Sequence, residues 1–196
     1  ENGSTDGTLA LAERLARAIP EMWVHTLRVA DYGEALRTGL LAAEGDVVVV
    51  FDVDYYDLDF LTRAVEELEH TDAAIVVGSK RAPGANDTRP WSRRLVTGVF
   101  TTILRVGFGL QVSDTHGMKV LHRKQIVSIA RECCFGKELF DTELILRAER
   151  TGLHTTELPV TVLQRRPSRT PILRRVPRTV TGLVRLRIAL RHVPRQ

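Results

Sequence analysis

The sequence predicts an α/β fold in which a mostly parallel sheet is flanked by helices. Residues 47–51 are four valines and a phenylalanine, and residues 73–77 form a second apolar run of strand length. Between these runs, residues 58–69 carry apolar side chains at helical spacing. Strands and helices that alternate in this way are typical of α/β sheets. Because the first run is continuous and β-branched, we expect its strand to be buried on both faces.

Capping residues and helix breakers set the bounds of the other predicted elements. Thr5 or Asp6 can cap a first helix, and Gly107 or Gly109 can end a long one. Residues 79–91 contain two prolines and a glycine and are predicted to form a loop. The remaining predicted helices cover residues 9–18, 34–43, 92–106, 124–131 and 140–150, and the remaining predicted strands cover residues 22–27, 119–121 and 154–162.

Length and composition are those of one folded domain. The chain has 196 residues, of which 43% are hydrophobic and 27% are charged. We predict a main domain at residues 1–163 and a basic loop and helix at residues 164–196, which either belong to the same domain or form a membrane-proximal extension. No apolar run reaches the roughly 18 residues that span a bilayer. Since Cys133 and Cys134 are adjacent and no signal peptide is visible, we expect a cytoplasmic protein, with peripheral contact to the cytoplasmic face of the membrane.

The formal net charge of +4 is unevenly distributed along the chain. No acidic residue follows Glu157, whereas ten arginines do. Such a segment attracts anions such as a diphosphate or acidic lipid head groups, although basic runs are as often solvated faces. It contains no aromatic residue on which bases could stack, so we expect no nucleic acid partner.

Two carboxylates follow the valine-rich strand. Asp52 and Asp54 come directly after residues 47–51, and ligands of open α/β sheets bind at the carboxyl ends of strands. Two carboxylates one residue apart can share Mg²⁺ or Mn²⁺, which keep open positions for substrate phosphates. A polar turn that caps the next helix explains the same pattern equally well. The short pattern alone therefore leaves both interpretations open.

Residues 92–110 alternate arginines with apolar residues. A basic amphipathic helix of this kind can lie on an anionic membrane. Helices with such a stripe more often pack it into a core, so we expect core packing here.

Taken in order, several motifs resemble the family-2 glycosyltransferases of the GT-A fold, and especially the branch that makes polyprenyl-phosphate or dolichyl-phosphate sugars. An ordered series is more specific than any single member of it. The segments that carry the resemblance are ENGSTDGT at 1–8, YGEALRTG at 32–39, GD at 45–46, DVD at 52–54, VGSKR at 77–81, DTHGMK at 114–119, FDTEL at 140–144 and ELPV at 157–160.

The resemblance implies a GT-A sheet, Rossmann-like and lacking its first strand, and we expect the chain to be truncated at its N-terminus. It implies an inverting transferase that moves a hexose from a UDP- or GDP-linked sugar to an acceptor, with polyprenyl phosphate favoured. The implied metal ligands are Asp52 and Asp54, with Mg²⁺ or Mn²⁺ as the cofactor. The implied donor-binding residues are Gly3, Ser4, Asp52, Lys80 and Arg81; the phosphate-binding residues are Arg165, Arg166 and Arg169; and the catalytic acids are Asp114, Asp141 and Glu143.

The chain departs from the family pattern at several positions. Glu1-Asn2 stands where the family has an acidic pair, and Asp31-Tyr32 stands where a lysine is common. Tyr56 occupies a position that often holds another ligand. These departures alter the expected contacts to the base and ribose.

Three alternatives stay open at this point. In the first, the acceptor is a saccharide hydroxyl, which requires a general base, rather than a phosphate, which does not. In the second, the chain is an inactive binding module. In the third, it is a nucleotidyltransferase, which would release pyrophosphate instead of a nucleoside diphosphate.

Overall fold

The computed structural model describes residues 1–53, 55–162 and 172–193 and has an α/β architecture. Its strands are β1 (Val47–Val50), β2 (Ala73–Ser79), β3 (Asn86–Asp87), β4 (Lys119–His122), β5 (His154–Pro159) and β6 (Thr161–Val162). Its α-helices are α1 (Thr8–Ala18), α2 (Tyr32–Ala42), α3 (Leu58–His70), α4 (Trp91–Phe108), α5 (Arg123–Glu132), α6 (Phe140–Arg150) and α7 (Ile172–Ala189). The six predicted helices are all found, with bounds that differ by at most two residues.

The main sheet contains four strands in the order β1-β4-β2-β5. Three of them run in the same direction, and β4 lies antiparallel between β1 and β2. The predicted α/β fold with a mostly parallel sheet is therefore confirmed. Val50 at the end of β1 and Val77 near the end of β2 both pair with Lys119 at the start of β4. One edge of the sheet thus gathers the carboxyl ends of the parallel strands.

Helices cover both faces of this sheet. On one face, α3 packs Phe60 and Leu68 against Val76 and Val120. On the other face, a larger core joins β2 and β4 to α2, α4, α5, α6 and α7. Because each large apolar side chain contributes about 1.5–3 kcal/mol when it is fully buried, the two cores hold the sheet edge in place.

The strand predicted at residues 22–27 is wrong. The carbonyl of Glu1 accepts a hydrogen bond from the Leu27 amide at 3.0 Å. The N-terminal amino group of Glu1 donates to the His25 carbonyl at 2.7 Å. These bonds pair a single residue with the segment. One paired residue is too short for a β-ladder, so the segment does not form a strand.

The expectation that the strand at residues 47–51 is buried on both faces is also wrong. Val47 and Val49 are 37% and 38% exposed. Within the described residues, β1 is the outermost strand and pairs with β4 alone. Its position at the edge, rather than its composition, sets this exposure.

Helix α4 was expected to pack its apolar stripe into the core, and this is wrong for most of the stripe. Leu104 is buried, but Leu95, Val96, Val99 and Ile103 are exposed. The predicted end at Gly109 is confirmed, since this residue adopts the left-handed conformation that glycine favours at helix ends, with φ of 80°.

Helix α2 approaches the segment before α6 through a glycine. A Cβ atom on Gly33 would lie 2.7 Å from the backbone of Gly136 and Lys137 and from Phe140 Cβ. Gly39, in the same helix, has no atom within 4 Å of its ideal Cβ position. The close approach at Gly33 therefore sets how α2 meets the start of α6.

We predict that Gly33→Ala lowers the free energy of unfolding by about 1–3 kcal/mol, because the new methyl group meets backbone that cannot move aside cheaply. Gly39→Ala is the matched control and should raise that free energy by about 0.5–1 kcal/mol, since alanine favours a helix interior over glycine. Urea unfolding of both variants measures the difference. Equal effects of the two substitutions would contradict this packing.

Candidate active site

Asp52 lies directly after β1 at the carboxyl edge of the sheet. The Tyr32 hydroxyl of α2 donates a hydrogen bond to Asp52 Oδ1 at 3.4 Å. Burial, with the nearby charges of Asp141 and Asp52, raises the pKa of Tyr32. The phenol therefore remains a protonated donor that links the Asp52 carboxylate to α2.

Asp114 is buried in the segment between α4 and β4. Its Oδ2 lies 2.6 Å from Lys80 Nζ, and its Oδ1 accepts the His116 amide at 3.1 Å. Lys80 also donates to the His116 carbonyl at 3.3 Å. Lys80 follows β2 directly, so this ion pair fastens the end of that strand to the segment that leads into β4.

Asp141 and Lys119 form an ion pair within the core. Lys119 Nζ lies 2.9 Å from Asp141 Oδ1, and the two side chains are 1% and 2% exposed. Lys119 also donates to the Gly117 carbonyl at 2.9 Å. Asp141 Oδ2 is buried without a hydrogen-bond partner in the described part of the chain. The pair joins β4 to α6 and leaves one carboxylate oxygen unsatisfied.

Glu143, the third predicted acid, holds the loop before α6. Its Oε1 lies 2.8 Å from Arg147 Nε, and its Oε2 accepts the amides of Cys134 and Phe135 at 2.8 and 2.9 Å. The side chain is fully buried. These contacts occupy both oxygens and support an anchoring role for Glu143.

The N-terminal turn is folded onto the start of α2. The Glu1 carboxylate accepts the amides of Gly3 at 3.2 Å and Ser4 at 2.5 Å. Asn2 Oδ1 accepts the Asp31 amide at 2.6 Å. Gly3 has φ of 67°, a conformation that other residues rarely adopt. The turn that was predicted to bind the donor thus contacts Asp31, the residue before Tyr32.

Asp31 links this turn to the loop before α6. Burial acts to raise the pKa of its carboxyl, but hydrogen bonds from the amides of Lys137, Glu34 and Gly33 outweigh it and lower the pKa below its ordinary value. The Lys137 amide lies 2.6 Å from Asp31 Oδ1. The carboxylate therefore stays ionised and holds α2 to the start of the segment that carries Asp141.

Arg81 lies against helix α4. A Cβ atom on Gly98 would be 3.3 Å from Arg81 Nη1, so the absence of a side chain there makes room for the guanidinium group. The rings of Phe100 and His116 lie 6.2 Å apart. Helix α4 thus borders the site on the side of Arg81 and His116.

A polar network that the sequence did not predict joins the segment after β2 to the segment before β4. Ser79 Oγ lies 2.8 Å from Ser113 Oγ, and Glu157 Oε2 accepts the Ser113 amide and hydroxyl at 2.6 and 2.7 Å. Ser79 Oγ also accepts the amides of Arg81 and Ala82. A lone acid inside a short strand was the available signal for Glu157. The network positions the segments that carry Lys80 and Asp114.

Lys119 was missed for a different reason. The sequence placed it at the start of a strand, where a lysine is usually exposed. Only its pairing in the sheet shows that it shares a face with Leu121 and points into the core near α6.

Several predicted residues lie outside the described part of the chain. These are the metal ligand Asp54 and the phosphate-binding residues Arg165, Arg166 and Arg169. Of the other predicted residues, Asp52, Lys80 and Arg81 follow the parallel strands β1 and β2, and ion pairs join Asp114 to Lys80 and Asp141 to Lys119. Gly3 and Ser4 lie in the N-terminal turn, and Glu143 anchors the loop before α6.

The residues at this edge suit a hard divalent cation. Asp52 supplies a carboxylate, the ligand that Mg²⁺ and Mn²⁺ prefer. The described residues contain no group of three or more protein ligands arranged around one point. These ions need no such group where substrate phosphates and water complete their shell, so one or two carboxylates suffice.

Comparisons with known proteins were made on both sequence and structure. The family model for glycosyl transferase family 2 matches residues 1–129. Glycosyltransferase AglD of Haloferax volcanii is 28% identical over 163 residues, which cover 82% of this chain and 26% of that protein. Polyprenol monophosphomannose synthase of Mycolicibacterium smegmatis is 29% identical over 174 residues, which cover 84% of this chain and 65% of that protein.

Among solved structures, glucosyl-3-phosphoglycerate synthase from Mycobacterium tuberculosis has the same fold. Its complex with Mn²⁺, uridine-diphosphate-glucose and phosphoglyceric acid aligns with a TM-score of 0.62 at 23% identity. The alignment covers 95% of this chain and 66% of that one. The chain thus spans about a quarter of the length of AglD and about two thirds of the other two proteins.

We predict that Lys119→Met lowers the free energy of unfolding by about 3–5 kcal/mol, because it leaves the Asp141 carboxylate buried without a cation. Lys124→Met is the control, since the Lys124–Asp46 pair is exposed and should contribute at most about 1 kcal/mol. Urea unfolding measures both. A loss below about 1 kcal/mol for Lys119→Met would show that the pair is not needed.

Proposed function

The chain belongs to glycosyl transferase family 2, and we propose that it transfers a hexose from a UDP- or GDP-linked sugar to a polyprenyl phosphate with inversion at the anomeric carbon. The observation that carries the proposal is the arrangement at the carboxyl edge of the sheet. Asp52 lies there beside Tyr32, and the ion pairs Lys80–Asp114 and Lys119–Asp141 lie at the same edge.

The donor would bind between the N-terminal turn and the end of β1. Gly3 and Ser4 would contact the base, and Asp52 the ribose and the metal. Asp52 and Asp54 would hold Mg²⁺ or Mn²⁺, which neutralises charge on a departing diphosphate. A protein of the same fold was solved with Mn²⁺ and uridine-diphosphate-glucose, which supports this choice of ligand class.

Cationic side chains would receive the phosphate groups. Arg81 is exposed at the rim of the site, and its planar guanidinium group can bind two phosphate oxygens at once. Lys80 lies beside it along the chain, held by Asp114. Arg165, Arg166 and Arg169 are proposed for the same role on the basis of the family resemblance.

The ion pairs favour a phosphate acceptor over a sugar hydroxyl. Each predicted catalytic acid already contacts a cation: Asp114 contacts Lys80, Asp141 contacts Lys119 and Glu143 contacts Arg147. Taking a proton would neutralise the carboxylate and leave its cation without a counter-charge, which is costly for a buried pair. A phosphate monoester has its second pKa at about 6, so it is ionised and needs no base. The similarity to a polyprenol monophosphomannose synthase supports the same acceptor.

A saccharide hydroxyl is the second candidate acceptor, and one observation favours it. Asp141 Oδ2 is buried and without a hydrogen-bond partner in the described residues, so it could accept a proton while Oδ1 keeps its contact with Lys119. Transfer to free sugars with none to polyprenyl phosphate would establish this acceptor instead.

We predict that a UDP- or GDP-sugar binds the chain together with Mn²⁺ and stabilises it against heat. Asp52→Asn should weaken this binding by about tenfold or more, since a charged contact is worth about 1.5–3 kcal/mol. The control is Asp46→Asn, because Asp46 is exposed at the start of β1 and should leave binding unchanged. Thermal shift and titration calorimetry, each with and without EDTA, measure the effect. No stabilisation by any nucleotide sugar, or identical binding by Asp52→Asn, would overturn the proposed donor site.

A further inference from the structure

Helix α4 exposes apolar residues on the side that faces away from its core contacts. Thr101, Leu104 and Phe108 are buried on one side of the helix. The opposite side carries large apolar residues at helical spacing, and it includes a tryptophan that is 76% exposed and a valine that is 85% exposed. These exposed residues, here called the α4 stripe, are Trp91, Leu95, Val96, Val99, Ile103 and Val106. Helices on protein surfaces normally turn polar residues outward, whereas this helix carries apolar residues on both its buried and its exposed side.

Helix α7 repeats the pattern. Leu183 and Leu186 are buried in the larger core, whereas Val180, Val184 and Ile188 are exposed at successive turns. Apolar stripes of this size on a soluble surface mark contact with a membrane or another protein.

The two helices meet at the end of α4. Arg187 of α7 donates to the Gly107 carbonyl, and its guanidinium group lies 5.7 Å from the centre of the Phe108 ring. Arg187 is itself exposed, so a cationic side chain joins the two helices at this point.

The charged residues of these two segments are all cationic. Residues 91–108 and 172–193 contain no aspartate or glutamate. Exposed arginines lie in both segments, among them Arg94 and Arg105 on α4 and Arg185 and Arg191 in the second segment. Apolar stripes on helices whose own charged residues are all cationic complement an anionic bilayer, where the apolar side chains enter the interface and arginines contact head groups. A protein partner would require no such uniform charge.

We infer that α4 and α7 form a membrane-docking surface for anionic lipid. Among the described residues, none of the helices combines the length and hydropathy of a membrane span. The α4 stripe and the site lie on opposite sides of helix α4. On the side of the site, Thr101 donates to the Ser113 carbonyl at 3.1 Å and Phe100 packs near His116. Under the proposed function, docking would bring a lipid-borne acceptor phosphate to within about one helix diameter, roughly 10–12 Å, of Arg81 and Lys80.

The test is flotation of the full chain with vesicles of phosphatidylcholine alone and with added phosphatidylglycerol. We expect binding to the anionic vesicles and a loss of roughly tenfold or more for the double variant Val99→Asp, Val106→Asp. The matched control is Leu11→Asp, Leu15→Asp, which adds the same charge to exposed positions of α1 and should bind as the unaltered chain does.

Thermal unfolding and nucleotide-sugar binding of each variant separate this inference from the proposed reaction. Vesicle binding without donor binding would leave the docking surface standing and overturn the transferase. Absence of binding to anionic vesicles, or equal binding by the Val99 and Val106 double variant, would overturn the docking surface. A concentration-dependent dimer that the double variant abolishes, in a chain that does not bind vesicles, would also overturn the docking surface.

Discussion

The buried ion pair between Lys119 and Asp141 is the interaction on which the site depends. It joins the interior antiparallel strand β4 to the first turn of α6, and neither charge has access to water. A buried pair adds little net stability over an apolar pair, but the loss of either partner leaves a charge that the core cannot solvate. The pairing therefore fixes the position of α6 against the sheet edge more strictly than apolar packing would.

Other polar contacts extend this constraint outward. Asp31 binds the amides that precede α6, Glu143 binds the loop at Cys134, and Glu157 binds the segment that carries Asp114. In each case a carboxylate satisfies backbone or hydroxyl donors near the carboxyl edge of the sheet. The acids of this site thus serve mainly to position loops, which is consistent with an acceptor that needs no proton removed. Positioning and charge stabilisation are the main sources of catalysis for such a reaction.

Local features of the sequence predicted most of the fold. Apolar periodicity and glycine positions located the helices, because these signals act within a few turns. The same signals failed for residues 22–27 and for the burial of β1, since pairing with neighbours in the sheet decides both. Periodicity also could not distinguish an apolar stripe that enters the core from the α4 stripe, which is exposed. Asp52 and Asp114 were predicted from ordered motifs, whereas the roles of Lys119 and Glu157 depend on contacts between segments distant in sequence.

Phosphorus NMR of the products tests the central claim most directly. The chain would be incubated with Mn²⁺, a UDP- or GDP-hexose and a polyprenyl phosphate. The account predicts a nucleoside diphosphate together with a new phosphodiester between lipid and sugar. Pyrophosphate among the products would indicate nucleotidyl transfer, and a released nucleoside diphosphate beside an unchanged lipid phosphate would show that the lipid is not the acceptor. Either result would contradict the account.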